Sequence, residues 1–442
     1  MNRLVLFISV FFFGACSVSK QISRQAAALV LNDTATKGAH IGICIFEPAT
    51  GKFWYQYQAD KYFVPASNTK LFSLYAGLKY LGDSLPGIGY FEKGDTLYID
   101  PTGDPTFLHS DFKDQRIFNF LKQNQKPIVI NNRGWRANAL GGGWAWDDYN
   151  ADYMVERSPL PIYGNLIKWA QVKEIPPFGR NDGFGSEGIA VYSEPDVTWK
   201  INMISDSSNK AFDVTRDRSR NIYEIRFGKE KNKSIDVPFV TEGTNTAAEL
   251  LADSLGKTVI TRPLAVKFQL LHSRPADSMY KLMMNRSDNF FAEQTLMMVS
   301  SVKLGYMNER SLISTLLATD LKNIPQTPKW VDGSGLSRYN LFTPNDFVFI
   351  LNKMKDDFGL NRLKEILPTG GKGTLKQYYI KDSSFIFAKT GTLSNHVALS
   401  GYLVTKKNKL LIFSVLVNDH LAGAAAVRRA VEKFLSGIRQ HY

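Results

Sequence analysis

The chain has 442 residues, 44% apolar and 12% aromatic, with 54 basic against 41 acidic side chains for a formal charge of +13. That length is more than one ordinary domain and fits two or three, while the composition excludes full-length disorder and collagen-like or coiled-coil architectures. Two cysteines, Cys16 and Cys44, exclude a disulfide framework and a cysteine-built zinc site, and the positive balance favours anionic partners (nucleic acid, membrane surface or acidic polymer) without choosing among them.

The amino-terminal segment chooses a compartment. Met1 to Arg3 is a short basic start, and Leu4 to Phe13 is apolar except at Ser9. This run is too short to span a membrane and reads as a secretory signal over residues 1–15. Small residues Gly14 and Ala15 directly precede Cys16, which resembles a bacterial lipoprotein signal. Cys16 would then be the lipidated first residue and the anchor to the membrane. An ordinary signal cleaved near Ala15 or beyond is the alternative. Either way the chain is expected to be exported to the periplasm or cell envelope, which weighs against nucleic acid as partner. Cys44, between Ile43 and Ile45, reads as a small buried hydrophobe.

Helical spacing of apolar residues predicts a first helix over Gln21 to Leu31. His40 to Phe46 and Phe53 to Tyr57 read as strands around the turn Glu47 to Gly51. Pro65 precedes an apolar stretch beginning at Leu71, a good helix start, so Ser67 and Lys70 fall in a first turn. From about 85 to 265 the chain is rich in Gly, Pro, Asn and Trp, with strands at Leu97 to Asp100, Pro127 to Asn131, Val191 to Ile204 and Ile222 to Phe227. This region reads as one or two mainly β inserts, and its charged runs Arg216 to Arg220 and Lys229 to Lys233 as solvated hairpin tips. Helical pattern returns at Ala247 to Leu255, Ser278 to Met284 and Phe290 to Val302. Strands follow at Phe385 to Ala388, Val397 to Val404 and Leu410 to Val417. A last helix over Ala422 to Ile438 carries Val427, Val431, Phe434 and Leu435 on one side. Two strands near one end and three near the other predict a single five-stranded antiparallel sheet in an α+β fold.

Several chemistries are absent from the sequence. There is no HExxH motif, no GxSxG elbow, and the six histidines are scattered without metal-ligand spacing. Gly256-Lys257-Thr258 lacks the glycine a phosphate loop needs, since Leu251 stands there. No metal or cofactor is implied. A Ser-x-x-Lys pair on a helix puts amine and hydroxyl on one face, but seven such pairs occur, beginning at Ser17, Ser67, Ser110, Ser207, Ser254, Ser278 and Ser300. Two further motifs select Ser67. Ser287-Asp288-Asn289 lies between helical segments, whereas the rivals Ser207 to Asn209 and Ser219 to Asn221 lie in the turn-rich region. Lys389-Thr390-Gly391 is the only Lys-Thr-Gly and ends a strand. The order of the three motifs, each in its proper local structure, is the specific signal.

With these motifs the chain resembles the penicillin-binding serine D-Ala-D-Ala carboxypeptidases and endopeptidases, in the low-molecular-mass class with a large insert between the first two motifs. Gly103 to Thr106, the Trp-rich segment Trp144 to Asp147, Asp332 to Arg338 and Gly373 to Leu375 resemble further segments of that class. Asn132 stands near a position where members that read a diaminopimelate side chain often carry Asp. The resemblance implies a β-lactamase/transpeptidase-like catalytic domain over 16–85 and 266–442, with the insert at 86–265.

It implies that Ser67 is acylated, with Lys70 as base, on peptidoglycan peptides or on β-lactams that mimic them. Ser287 would relay a proton to the leaving amine. Asn289 would hold the substrate amide and orient Lys70. Lys389, Thr390, Gly391 and Thr392 would hold the terminal carboxylate, and backbone N–H groups of Ser67 and Thr392 would form the oxyanion hole. Arg338 would help shape the cleft. An ordinary lysine titrates near 10.4, so Lys70 can serve only if burial or neighbouring positive charge favours its neutral form. A β-lactamase, esterase or transpeptidase of the same fold, and a non-hydrolytic β-lactam sensor or wall-binding protein, are the alternatives.

Overall fold

A computed structural model describes residues 12–172, 183–184, 189–204, 211–230 and 232–442. The basic start and most of the apolar run of the predicted signal therefore lie outside the described residues. The chain divides into two compact units. One comprises Met1–Tyr75, Tyr280–Asp288 and Ile313–Tyr442, and the other Ala76–Met279 and Asn289–Leu312. Among the described residues no helix is long and apolar enough to cross a membrane.

The first unit is organised on a five-stranded sheet in the order Ile386–Leu393, His396–Val404, Leu410–Asn418, His40–Glu47, Lys52–Tyr57. All four pairings are antiparallel, as the periodicity at both chain ends predicts. Its middle strands are apolar on both faces because both are covered. On one face the C-terminal helix Ala424–His441 sets Val427, Val431, Phe434 and Leu435 against Ile43, Val415 and Val417. Each such side chain contributes about 1.5–3 kcal/mol on leaving water, so packing rather than propensity holds this helix. On the other face lies the helix Pro344–Phe358, and Tyr402 donates its hydroxyl hydrogen bond to the Leu351 carbonyl at 2.7 Å. That helix has no counterpart in the sequence reading, although its start is signalled. Thr343 accepts from the Asp346 N–H, Asp346 accepts from the Thr343 N–H, and Pro344 holds the first helical position. Cys44 is buried in its strand, where desolvation pushes the thiol up.

The amino-terminal helix is longer than its apolar spacing indicates. It runs over Phe12–Ala26 and widens at Ala27–Leu31, where the Asn32 N–H reaches back five residues to Ala27. Cys16 falls within it.

The second unit is mainly β, with three sheets among the described residues. The largest has the order Val259–Arg262, Ile128–Asn131, Thr96–Pro101, Ser84–Lys93, Gln269–Pro275, with parallel pairing at its first two junctions and antiparallel at the other two. A four-stranded sheet contains Leu166–Val172 and Ala190–Glu194. A three-stranded sheet contains Asp213–Arg216, Ile222–Arg226 and Lys200–Ile204. The alternating stretch Val191 to Ile204 thus splits in two, because Pro195 lacks the N–H a ladder requires. Trp169 and Tyr223 meet in the core with ring centroids 4.9 Å apart. The run from Arg216 to Arg220 does join two strands, but Arg216 departs from the expected solvated tip. It is buried, donating to the Asp217, Arg218 and Tyr149 carbonyls. The other charged run, Lys229 to Lys233, also departs from the expected hairpin tip: it leads from Ile222–Arg226 of the three-stranded sheet to Lys233–Pro238 of the four-stranded sheet, with residue 231 outside the described residues.

Arg157 is fully buried in the second unit. It pairs with Glu293 and Glu309, each at 3.3 Å, and donates to the carbonyls of Asn138 and Leu140. An unpaired charge at that depth would be strongly destabilising. Asn131 is also buried, its amide donating to Asp100 at 2.7 Å and its oxygen accepting from the Leu264 N–H.

Candidate active site

Ser67 lies in the tight turn Ala66–Thr69, and Lys70 opens the helix Lys70–Tyr80 directly after it. The three-residue spacing brings Lys70 Nζ to 2.9 Å from Ser67 Oγ. Lys70 is fully buried and donates to the Ser334 carbonyl at 2.8 Å. Neighbouring polar residues fix the turn: Asn68 donates to Ser400 Oγ at 2.7 Å and Ser73 to the Gly333 carbonyl at 2.6 Å.

The loop that presents Ser334 is organised by Asp332, itself fully buried. Asp332 accepts from the N–H groups of Gly335 and Ser337, at 2.8 and 2.7 Å, and from the Asn340 amide at 2.7 Å. Gly335 has φ +83°, and a Cβ there would overlap the Ala66 carbonyl. Only glycine accepts both conditions without strain. The family resemblance covers Asp332 to Arg338 but implies no task for Asp332 or Ser334. The Asp-Gly-Ser-Gly pattern signals a turn and does not reveal which carbonyl the turn aims.

Ser287 closes a widened helical turn, Met283–Ser287, with φ +63°. For a residue with a side chain this conformation is strained by about 1–3 kcal/mol. Its hydroxyl accepts from Lys389 Nζ at 2.8 Å, and Lys389 also donates to the Thr390 carbonyl at 2.7 Å. Lys389 is fully buried. Desolvation first, then the positive charges of Lys70 and Arg428, hold its amine well below the ordinary lysine range. A proton on one lysine works against a proton on the other.

The strand Ile386–Leu393 lies at the sheet edge. It passes so close to the serine turn that a Cβ on Gly391 would lie 2.6 Å from the Pro65 oxygen and 3.1 Å from the Ser67 nitrogen. The third motif therefore needs its glycine for this approach. Thr390 is almost wholly buried, whereas Thr392 is exposed and its hydroxyl accepts from Arg428 Nη2. Arg338 is exposed and donates to the Ser394 carbonyl at 3.3 Å, in the turn after that strand.

Ser67, Lys70, Ser287, Lys389 and Gly391 thus converge in one unit. Asn289 belongs to the other, where it opens the helix Asn289–Leu304 and donates to the Tyr153 carbonyl at 2.9 Å. Arg428, on the C-terminal helix, carried no sequence signal. Among the described residues no group of three or more His, Cys, Asp or Glu is placed to hold a metal ion.

The chain is similar to two curated enzymes over most of its length. It is 22% identical over 446 residues to the D-alanyl-D-alanine carboxypeptidase DacB of Haemophilus influenzae, covering 89% of this chain and 88% of the relative. It is 23% identical over 468 residues to a D-alanyl-D-alanine carboxypeptidase of an Actinomadura species, covering 95% and 85%. The crystal structure of penicillin binding protein 4 from Haemophilus influenzae shares the fold, with a TM-score of 0.73 at 19% identity over 95% of this chain and 98% of that one. That protein has also been crystallised with a β-lactam. The D-Ala-D-Ala carboxypeptidase 3 (S13) family profile matches residues 23–438. With a serine and two buried lysines gathered on this α+β fold, the chain belongs to that family of serine-type D-Ala-D-Ala carboxypeptidases.

Proposed function

We propose that Ser67 is the nucleophile of this carboxypeptidase, acting on peptidoglycan peptides that end in D-Ala-D-Ala and on β-lactams. The observation that carries this reading is the pair of contacts at its centre: Lys70 Nζ at 2.9 Å from Ser67 Oγ and Lys389 Nζ at 2.8 Å from Ser287 Oγ. A serine hydroxyl is a weak nucleophile until a base takes its proton, and Lys70 is the amine within reach. The substrate carboxylate stabilises a proton on Lys389. The charged Lys389 in turn favours the neutral form of Lys70 that a base requires.

Ser67 Oγ bonds to the carbonyl carbon of the penultimate D-Ala as its proton passes to Lys70. Backbone N–H groups of Ser67 and Thr392 receive the developing oxyanion, an interaction worth about 3–4 kcal/mol per donor in other serine hydrolases. Ser287 relays a proton to the leaving amine, the C–N bond breaks, and D-Ala departs. Asn289, the last residue of the second motif, is the residue assigned to the substrate amide. Thr390, Gly391 and Thr392 complete the carboxylate site, and Arg338 shapes the cleft. Water then hydrolyses the acyl-enzyme. The edge strand gives an extended peptide backbone groups with which to pair, which serves carboxypeptidase and endopeptidase action alike.

The decisive comparison is fluorescent penicillin labelling and D-Ala release from a pentapeptide, wild type against Ser67→Ala. Both signals are expected to vanish in the variant. Persistent labelling of Ser67→Ala refutes the nucleophile assignment. Labelling of the wild type without D-Ala release marks a sensor instead.

The basic start, apolar run and Cys16 support export and a lipid anchor holding the enzyme in the cell envelope beside its polymeric substrate. Labelled palmitate is expected to enter the wild type and not Cys16→Ser. Equal labelling of the two, or none in either, defeats the anchor.

A further inference from the structure

Arg428 lies in the second turn of the C-terminal helix Ala424–His441, and its guanidinium donates to the hydroxyl oxygen of Thr392. Thr392 is exposed, one residue before the end of the strand that carries Lys389. A hydroxyl that accepts from an arginine has its own hydrogen free to turn outward as a donor. Among the described residues no carboxylate pairs with Arg428. Its neighbour Arg429 is paired with Glu432 at 2.5 Å and donates to the Gln377 carbonyl at 2.9 Å. One arginine of the adjacent pair is therefore spent within the fold, while the other points a charged fork at the end of the third motif.

Lys389 is a poor candidate for the whole of anion recognition. It is fully buried and already donates to Ser287 and to the Thr390 carbonyl. Its amine is also held well below the ordinary lysine range, in part by Arg428 itself, which places the guanidinium within electrostatic reach of the site. Arginine keeps its charge at any physiological pH and matches a carboxylate with two parallel N–H donors.

We propose that Arg428 is a specificity-determining residue of this enzyme: together with the Thr392 hydroxyl it binds the terminal carboxylate of the acyl-D-Ala-D-Ala substrate. Arg428 supplies the permanent positive charge at the open end of the strand, and Thr392 supplies an oriented donor. The buried Lys389 takes up its proton once the anion has arrived. This assignment rests on the reading of Ser67 as the nucleophile, and the experiment separates the two.

The test compares kcat/KM for a diacetyl-Lys-D-Ala-D-Ala peptide with that for the same peptide ending in D-alaninamide, which has no terminal charge. Loss of a charged hydrogen-bond partner corresponds to a fall of roughly 10–100-fold. Arg428→Ala is expected to lose that much on the free carboxylate and little on the amide, so that preference for the carboxylate collapses. Arg428→Lys, which keeps the charge and loses the fork, is expected to recover part of the preference. Equal losses on both peptides would mark a structural role and overturn the proposal, as would an unchanged preference in Arg428→Ala. Wild-type protein that releases neither D-Ala nor D-alaninamide overturns the proposed function and this assignment with it. A wild type that discriminates beside an Arg428→Ala variant that discriminates equally overturns only the role of Arg428.

Discussion

A proton on Lys389 costs stability where the amine stands, and its pH dependence should expose this. Its amine is fully buried and its affinity for a proton is depressed by desolvation, Lys70 and Arg428. The unfolded chain therefore binds more protons than the folded one between the depressed folded value and about 10.4. Stability contributed through this group rises with pH across that window. Lys389→Met is thus expected to unfold at higher denaturant concentration than wild type at pH 7, with an advantage that shrinks toward pH 10, while penicillin labelling falls at least 100-fold. Urea titrations at several pH values would check it, and a variant less stable than wild type at pH 7 would contradict it. Ser287, held at φ +63° with its hydroxyl against this same amine, is a second place where local strain accompanies the chemistry.

The loop Asp332 to Asn340 shows how a segment without regular structure can be as determinate as a strand. Asp332 accepts from Gly335, Ser337 and Asn340, the Ser334 carbonyl reaches Lys70, and Gly335 lies against Ala66. Gly335→Ala adds a Cβ at positive φ where the Ala66 backbone stands. A loss of about 2–4 kcal/mol is expected, above the 1–3 kcal/mol of strain alone. Thermal melting would measure it, and acylation of Ser67 should slow in parallel. Little of this loop was legible beforehand. Strands such as Leu410–Asn418 declare themselves through uninterrupted apolar runs, and the three motifs through their order. Long-range aim leaves no such mark: nothing between positions 332 and 338 states that a carbonyl there meets an amine at position 70. Arg428 was invisible for the same reason, one arginine among a helix's polar positions. The helix Pro344–Phe358 is signalled in the sequence by its Thr-Pro-x-Asp cap alone, its apolar spacing being diluted by Asn345, Asp346 and Asn352. The division of the second motif, with Ser287 and Asn289 in different compact units, has no sequence signal either.

A formal charge of +13 acts over the entire surface. Beside an anionic wall polymer such a field concentrates the enzyme on its substrate, and exposed charges are screened within about 10 Å at 0.1 M salt. Retention on isolated, acid-rich cell walls is therefore expected to fall steeply between roughly 50 and 300 mM salt, while kcat on a short soluble peptide changes little. Retention indifferent to salt would assign the charge to solubility alone. The sheet built from both ends of the chain has a different implication, one that concerns synthesis. The strand His40–Glu47 emerges from the ribosome long before its partner Leu410–Asn418. A chain cut just after Gly391 would hold every motif residue and still lack His396–Val404 and Leu410–Asn418, the two strands that join its edge strand to His40–Glu47. The three motifs can therefore be held together around one sheet only once Leu410–Asn418 has been made, after the last motif itself.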